Sequence, residues 1–300
     1  LGRVSFWFMD YLTIYFAAII NISLTAYIGY LAAIPAFRDR NKKHVSLAYS
    51  MVSIVVVQTL FFLSELKLVN LDSFKVLLLS ISLILVLILL ALRRVSMESI
   101  NELLEQENID ETFLAKSFRY NLAIFTVLLY GFVEFFFPEN SSLAYICFAV
   151  GSAILGVLND FKLKDNFILN KPFVLYIVST IVLTSVGFFF LGFNYLFELH
   201  FTNHFRHFIT TGTYGLVFYV ILIIVSTIHT GREIFTSWAL TLGLILIIIA
   251  TFMRAFIPYF LEYSMILYIL SSIIWACSFV IYIKTFFPFL LQVRADGIKG

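Results

Sequence analysis

Polar residues in this chain come in short islands separated by long apolar runs, and the distance between islands sets the reading. The stretch "LLLSISLILVLILLAL" stays apolar over most of a membrane thickness and lacks the period-two alternation that a lipid-facing strand needs. A hydrocarbon core about 30 Å thick takes roughly 20 apolar residues in helical form, and about nine runs reach that length. They predict spans over Phe6 to Ile34, Val45 to Glu65, Ser73 to Leu92, Tyr120 to Pro138, Leu143 to Leu158, Pro172 to Phe197, Phe205 to Ile228, Phe235 to Phe256 and Tyr263 to Phe287. Lipid offers the backbone no hydrogen-bond partner, so each span must satisfy itself as a helix. The fold class is therefore all-α, a polytopic membrane helix bundle forming one transmembrane domain over residues 1–300.

Composition names one partner and removes another. With 61% hydrophobic and 13% charged side chains, the sequence is far more apolar than soluble domains, which are about half apolar and about a quarter charged. The lipid bilayer is the implied partner, and a net charge of +2 supplies no basic face for nucleic acid. Cys147 and Cys277 stand singly inside apolar runs and read as small buried hydrophobes. Basic residues are retained on the cytoplasmic side of a membrane. An N-terminus outside and a C-terminus inside leaves only Arg3, Lys67, Lys75, Arg206 and Arg254, of 20 Lys and Arg, on outer segments. The opening Leu1-Gly2-Arg3 carries neither a methionine nor a signal segment, so further helices are expected upstream.

The longest predicted loop, residues 93–119, lies on the inner side. Ser99 and Glu102 form a capping-box pattern, and Val95, Ile100, Leu103 and Leu104 share one side opposite Glu98, Glu102 and Glu105. A short amphipathic helix at the inner surface is expected there, acting as a connector.

Polar groups inside the spans are the candidates for chemistry. Asp10, Glu134 and Arg254 fall in outer halves of spans, where snorkelling to the interface or an ion pair of Arg254 with one of the acids accounts for them. His44, in "RDRNKKH", reads as solvated. His204 and His207 share a face if their helix begins by Asn203, and could then bind one copper or haem iron with a third group. His200 joins them only if the preceding turn is helical. His229 opens "HTGR" at the other end of the span, roughly 33 Å from His207 at 1.5 Å per residue, so the two cannot ligate one metal. In "HTGR" the helix C-terminus favours an imidazole and Gly231 can close the helix left-handed. Arg232, beside the free amides of the next helix, suits a carboxylate or phosphate. A tight turn with a retained arginine explains the same residues without a ligand.

These stretches resemble a known family. "HFITTGTYGLVFYVILIIVSTIHTGREI" looks like the signature of the NnrS family, and "IIWACSFVIYIKTFFPFLLQVRADGIKG" resembles its closing helix and tail. "RNKKHVSLAYSMVSIVVVQTLFF" and "LALRRVSMESI" are weaker echoes. The resemblance implies a multi-pass protein of the bacterial inner (cytoplasmic) membrane that carries haem and copper, serving nitric-oxide metabolism or nitrosative-stress tolerance in denitrifying-type bacteria, with an unidentified redox partner. It implies metal ligation by His207, with His204 as helper, and by His229. Thr230, Gly231 and Arg232 complete a cofactor-binding turn in which Arg232 pairs with a haem propionate or other anion, and Gly212 and Gly215 are close-packing glycines. The family's His-x-His-Glu element is absent from this chain, and "KPFVLYIVSTIVL" lacks a histidine often found there. A member that has lost one cofactor, a cofactor-free transporter or channel, and an inert assembly or sensor subunit are the alternatives. No pair of histidines on facing helices at one depth suggests a haem–copper oxidase.

Overall fold

The structure is a computed structural model that describes all residues except 1–3, 5–6, 40–43, 163–170, 234–236, 296 and 298–300, together with the side chains of Met9, Asp10 and Leu12. Among the described residues there is no strand, and nine helices are long and apolar enough to cross a membrane. They are α1 (Met9–Arg38), α2 (Val45–Glu65), α3 (Ser73–Gln106), α4 (Ser117–Phe136) and α5 (Ser142–Gly156), which runs into a 3₁₀ turn Val157–Phe161. Then come α6 (Pro172–Leu196), α7 (Thr202–His229), α8 (Trp238–Ala255) and α9 (Ser264–Leu290).

The helix starts follow local chemistry. Pro172 opens α6, where a missing N–H costs nothing, and the Ser237 hydroxyl accepts the Leu240 amide at 3.3 Å to open α8. Asp72 and Asn140 accept the amides of Phe74 and Ser142 at 2.9 Å in the same manner. Four helices end alike. Lys67 (φ 57), Asn108 (φ 55), Glu198 (φ 49) and Gly231 (φ 67) take the left-handed conformation just past α2, α3, α6 and α7. The following amides reach back to Leu63, Leu104, Asn194 and Thr227 at 2.9–3.1 Å, satisfying carbonyls that would otherwise be stranded.

Several boundaries differ from those read in the sequence. α1 and α9 run through Pro35 and Pro288 to Arg38 and Leu290, because a proline in a final turn removes only one ladder hydrogen bond. α3 does not stop at Leu92. The expected short amphipathic helix is its direct continuation, and Ser99 is no N-cap: its hydroxyl donates to the Val95 carbonyl at 2.6 Å inside the helix. Asn101 on that extension clasps Phe113, accepting its amide at 2.7 Å and donating to its carbonyl at 3.1 Å, so residues 107–116 fold back along the helix end.

Contacts cluster into two compact units, Leu1–Leu92 with Ala123–Leu143, and Arg93–Leu122 with Ala144–Gly300. In the first, α1 packs along α2, and Glu134, 3% exposed, accepts from the Tyr130 hydroxyl. Glu134 is thus enclosed and partnered, not snorkelling as its position near the span end suggested. In the second, α6 and α7 are the most enclosed helices, with 61% of each span buried against 11% for the last. Cys147 is buried as expected, but Cys277 faces outward from α9.

Candidate functional site at the start of the seventh span

Asn194, in the last turn of α6, sets where α7 begins. It is 2% exposed; its Oδ1 accepts the Phe201 amide at 2.7 Å and its Nδ2 donates to Thr202 Oγ1 at 2.8 Å. The first turn therefore starts at Thr202, which meets the condition on His204 and His207: they lie one turn apart with ring centres 6.3 Å from each other. His200 is excluded, being exposed and left-handed (φ 61) before the helix begins. Arg206, between the two histidines in sequence, is buried and donates to Asn203 Oδ1 at 2.5 Å.

Immediately after His207 the backbone widens. Phe208–Thr213 is π-helical, and only from Tyr214 does the span continue as a regular α-helix to His229. The wide turn is held from three sides. Thr213 Oγ1 donates to the Phe208 carbonyl at 3.2 Å and lies 2.8 Å from Thr184 Oγ1 on α6. The Thr211 carbonyl accepts Trp275 Nε1 at 3.2 Å from α9. A Cβ on Gly212 would stand 2.7 Å from Leu183 Cδ2 and 2.8 Å from Thr251 Cγ2, and one on Gly215 would stand 2.8 Å from Trp275 Nε1. Neighbouring helices occupy the space a side chain would need. π-turns concentrate at functional sites because they re-aim the residues beside them. Here the Thr211 hydroxyl lies 3.3 Å from His207 Nδ1, which fixes the ring and leaves Nε2 for another partner.

His204 Nδ1 is buried with no hydrogen-bond partner among the described residues. A buried polar atom left unmet costs about 1–3 kcal/mol, so the ring is arranged at an energetic loss unless something takes that nitrogen. The pair supplies two imidazole donors. Among the described residues no group of three or more His, Cys, Asp and Glu is placed to hold a metal ion, so this chain offers a partial donor set at the pair. That set fits copper, which binds imidazole well.

The other end of α7 is arranged differently. His229 is the last helical residue and exposed, and its ring makes no hydrogen bond among the described residues. Thr230 is buried, and its carbonyl accepts the Ala295 amide at 3.0 Å. Arg232 donates to that carbonyl at 3.3 Å and to Gln292 Oε1 at 3.0 Å, and its guanidinium lies 4.3 Å from the centre of the Phe289 ring. Its side chain is engaged with the C-terminal segment as well as with its own turn. Two cavities, of about 420 and 450 Å³, are lined by residues around His44 and around Trp238, and neither is lined by His207 or His229.

His44 is exposed, as read, and lines the first of those cavities with Pro35, Ala48 and Met51. Arg254 donates to Ser272 Oγ at 3.1 Å and lies 5.2 Å from the Tyr268 ring centre, so the described structure gives it no acid partner. The side chain of Asp10 lies outside the described residues. Asp160, passed over in the sequence, is buried, paired with Arg119 and accepting the Lys116 amide at 2.9 Å. Its place next to Lys162 and Lys164 is the signal that could have found it.

No curated protein and no solved structure matches the chain. The family model described as NnrS protein matches residues 1–294, nearly the whole sequence, including both stretches that meet at Arg232. A multi-pass membrane chain matched over that length belongs to the NnrS protein family.

Proposed function

We propose that this chain is a metal-binding protein of the bacterial inner membrane, linked to nitric-oxide metabolism or nitrosative-stress tolerance, that binds copper through His204 and His207. The observation that carries the reading is the buried, unpartnered His204 Nδ1 one turn from a second imidazole whose orientation is already fixed. When bound, copper supplies redox chemistry and affinity for small diatomic ligands. This chain's residues hold it in place: Asn194 sets the start of the helix, Thr211 fixes His207, and the aromatic rings of Phe190, Phe205, Phe208 and Phe256, packed stacked or edge-on at 5.1–6.2 Å, shield the helix wall from water. The proposed topology has this end at the outer face and Arg232 at the inner one. Any haem would meet His229 on an open surface, and no step is assigned to it.

The test is the copper content of the purified full-length protein. Wild type and His229→Ala should carry copper, and His204→Ala and His207→Ala should each lose most of it, as expected when one of few ligands is removed. A preparation that stays copper-free after supplementation overturns the reading in favour of a transporter or channel without a cofactor.

A further inference from the structure

Among the described residues, the charged side chain that acts on His207 is a cation, Arg254. On α9, Ser272 and Trp275 are one turn apart: Ser272 accepts Arg254 Nη1, while Trp275 holds the Thr211 carbonyl whose hydroxyl meets His207. Phe252 and Phe256, flanking Arg254 on α8, pack edge-on against Phe208, the residue after His207. The first chain of contacts brings the Arg254 guanidinium towards the histidine end of α7 and the second sets α8 at that depth; among the described residues, Arg254 and His204 are the charged or titratable groups that act on His207. Arg254 spends one donor on Ser272, and its other N–H groups make no hydrogen bond among the described residues.

A metal cation held here by two uncharged donors, next to a guanidinium and without a carboxylate, is electrostatically unbalanced in a low-dielectric setting. Guanidinium N–H groups without an acid partner are suited to a compact negative ligand. We propose that the His204–His207 end of α7 binds a small monovalent inorganic anion, contacted by the Arg254 guanidinium and, when copper is present, bound to the metal as its external ligand. The inference rests on the copper reading of the same pair and adds the class of ligand that reaches it.

Sodium azide is the probe. Purified full-length protein is titrated by calorimetry in metal-free form and after copper loading, and the copper(II) form is followed for the azide-to-copper charge-transfer absorption. The expected result is one azide per chain in the loaded form, with a weaker site in the metal-free form. Arg254→Gln should weaken azide binding about tenfold or more while leaving copper content unchanged, and Arg254→Lys, which keeps a point charge, should lose less. Equal azide affinity in wild type and Arg254→Gln overturns the anion site while the copper reading stands. A protein that binds azide but takes up no copper on loading keeps the anion site and removes the copper reading, and a protein that takes neither removes both. If Arg254→Gln elutes as aggregate, Ser272→Ala gives the second measurement: freeing the guanidinium from its anchor should change azide affinity, and no change overturns the proposal.

Discussion

One helix carries both halves of the sequence signature, and its two ends are built for different work. At the start of α7 the chain departs from regular geometry: the π-turn Phe208–Thr213 widens the backbone, three neighbouring helices hold it, and a buried ring nitrogen is left unmet. At the far end the turn and its arginine are engaged, and the His229 ring is exposed. The "HTGR" turn closes in the same hydrogen-bonded pattern that ends α2 and α3, and its arginine grips the C-terminal segment through Gln292 and Phe289. Strain and an unmet polar atom persist only where surrounding packing enforces them, which is the signature of a binding end. A closed turn with an engaged arginine marks a structural joint.

If that division is right, substitutions at the two ends separate metal content from stability. The largest effect is expected at Gly212. Valine there would drive carbon atoms into Leu183 and Thr251, which already approach to 2.7 and 2.8 Å of a bare Cβ. Overpacking of this kind costs about 1–3 kcal/mol and forces the neighbours to move, so Gly212→Val should lower the thermal midpoint in detergent and reduce copper binding together. Native stability with wild-type copper would show that the π-turn does not depend on close approach.

Gly231→Ala comes next. A non-glycine residue held left-handed costs about 1–2 kcal/mol, so the thermal midpoint should fall while copper content stays at the wild-type level. Asparagine should cost less than alanine. The fold itself should survive, because Lys67, Asn108 and Glu198 occupy the equivalent position at three other helix ends. Loss of copper in Gly231→Ala would erase the distinction between the ends.

How much of this was legible in the sequence depended on whether the determinant was local. The spans were legible because lipid forces the backbone to satisfy itself and apolar length alone reports it. The left-handed Gly231 was legible because helix closure is decided within four residues. The π-turn was not, although its residues were quoted, since "FITTGT" has no intrinsic pattern for it: Thr184, Trp275 and Thr251 impose it from helices far along the chain. The engagement of Arg232 was hidden for the same reason, as Gln292 and Phe289 lie about 60 positions away in sequence. Asn194 was missed because an asparagine in an apolar helix shows no sequence period, and only its paired contacts with Phe201 and Thr202 reveal that it places the site.

Arg232 gives the smallest effect and the finest cut between the two readings of the "HTGR" end. Replacing it with alanine removes one hydrogen bond to Gln292 and the contact over Phe289, each worth about 0.5–1 kcal/mol at a half-exposed position. The Thr230 carbonyl keeps the Ala295 amide, so the segment should loosen but stay docked. Carboxypeptidase trimming of the C-terminus should therefore quicken a few-fold, with copper content and thermal midpoint nearly unchanged. Gln292→Ala should do the same, and the double variant should add little to either single one, because both break a single contact. An arginine that instead served an external anion would give the opposite pattern: normal trimming in Arg232→Ala, and a loss of any bound haem absorbance that Gln292→Ala does not share.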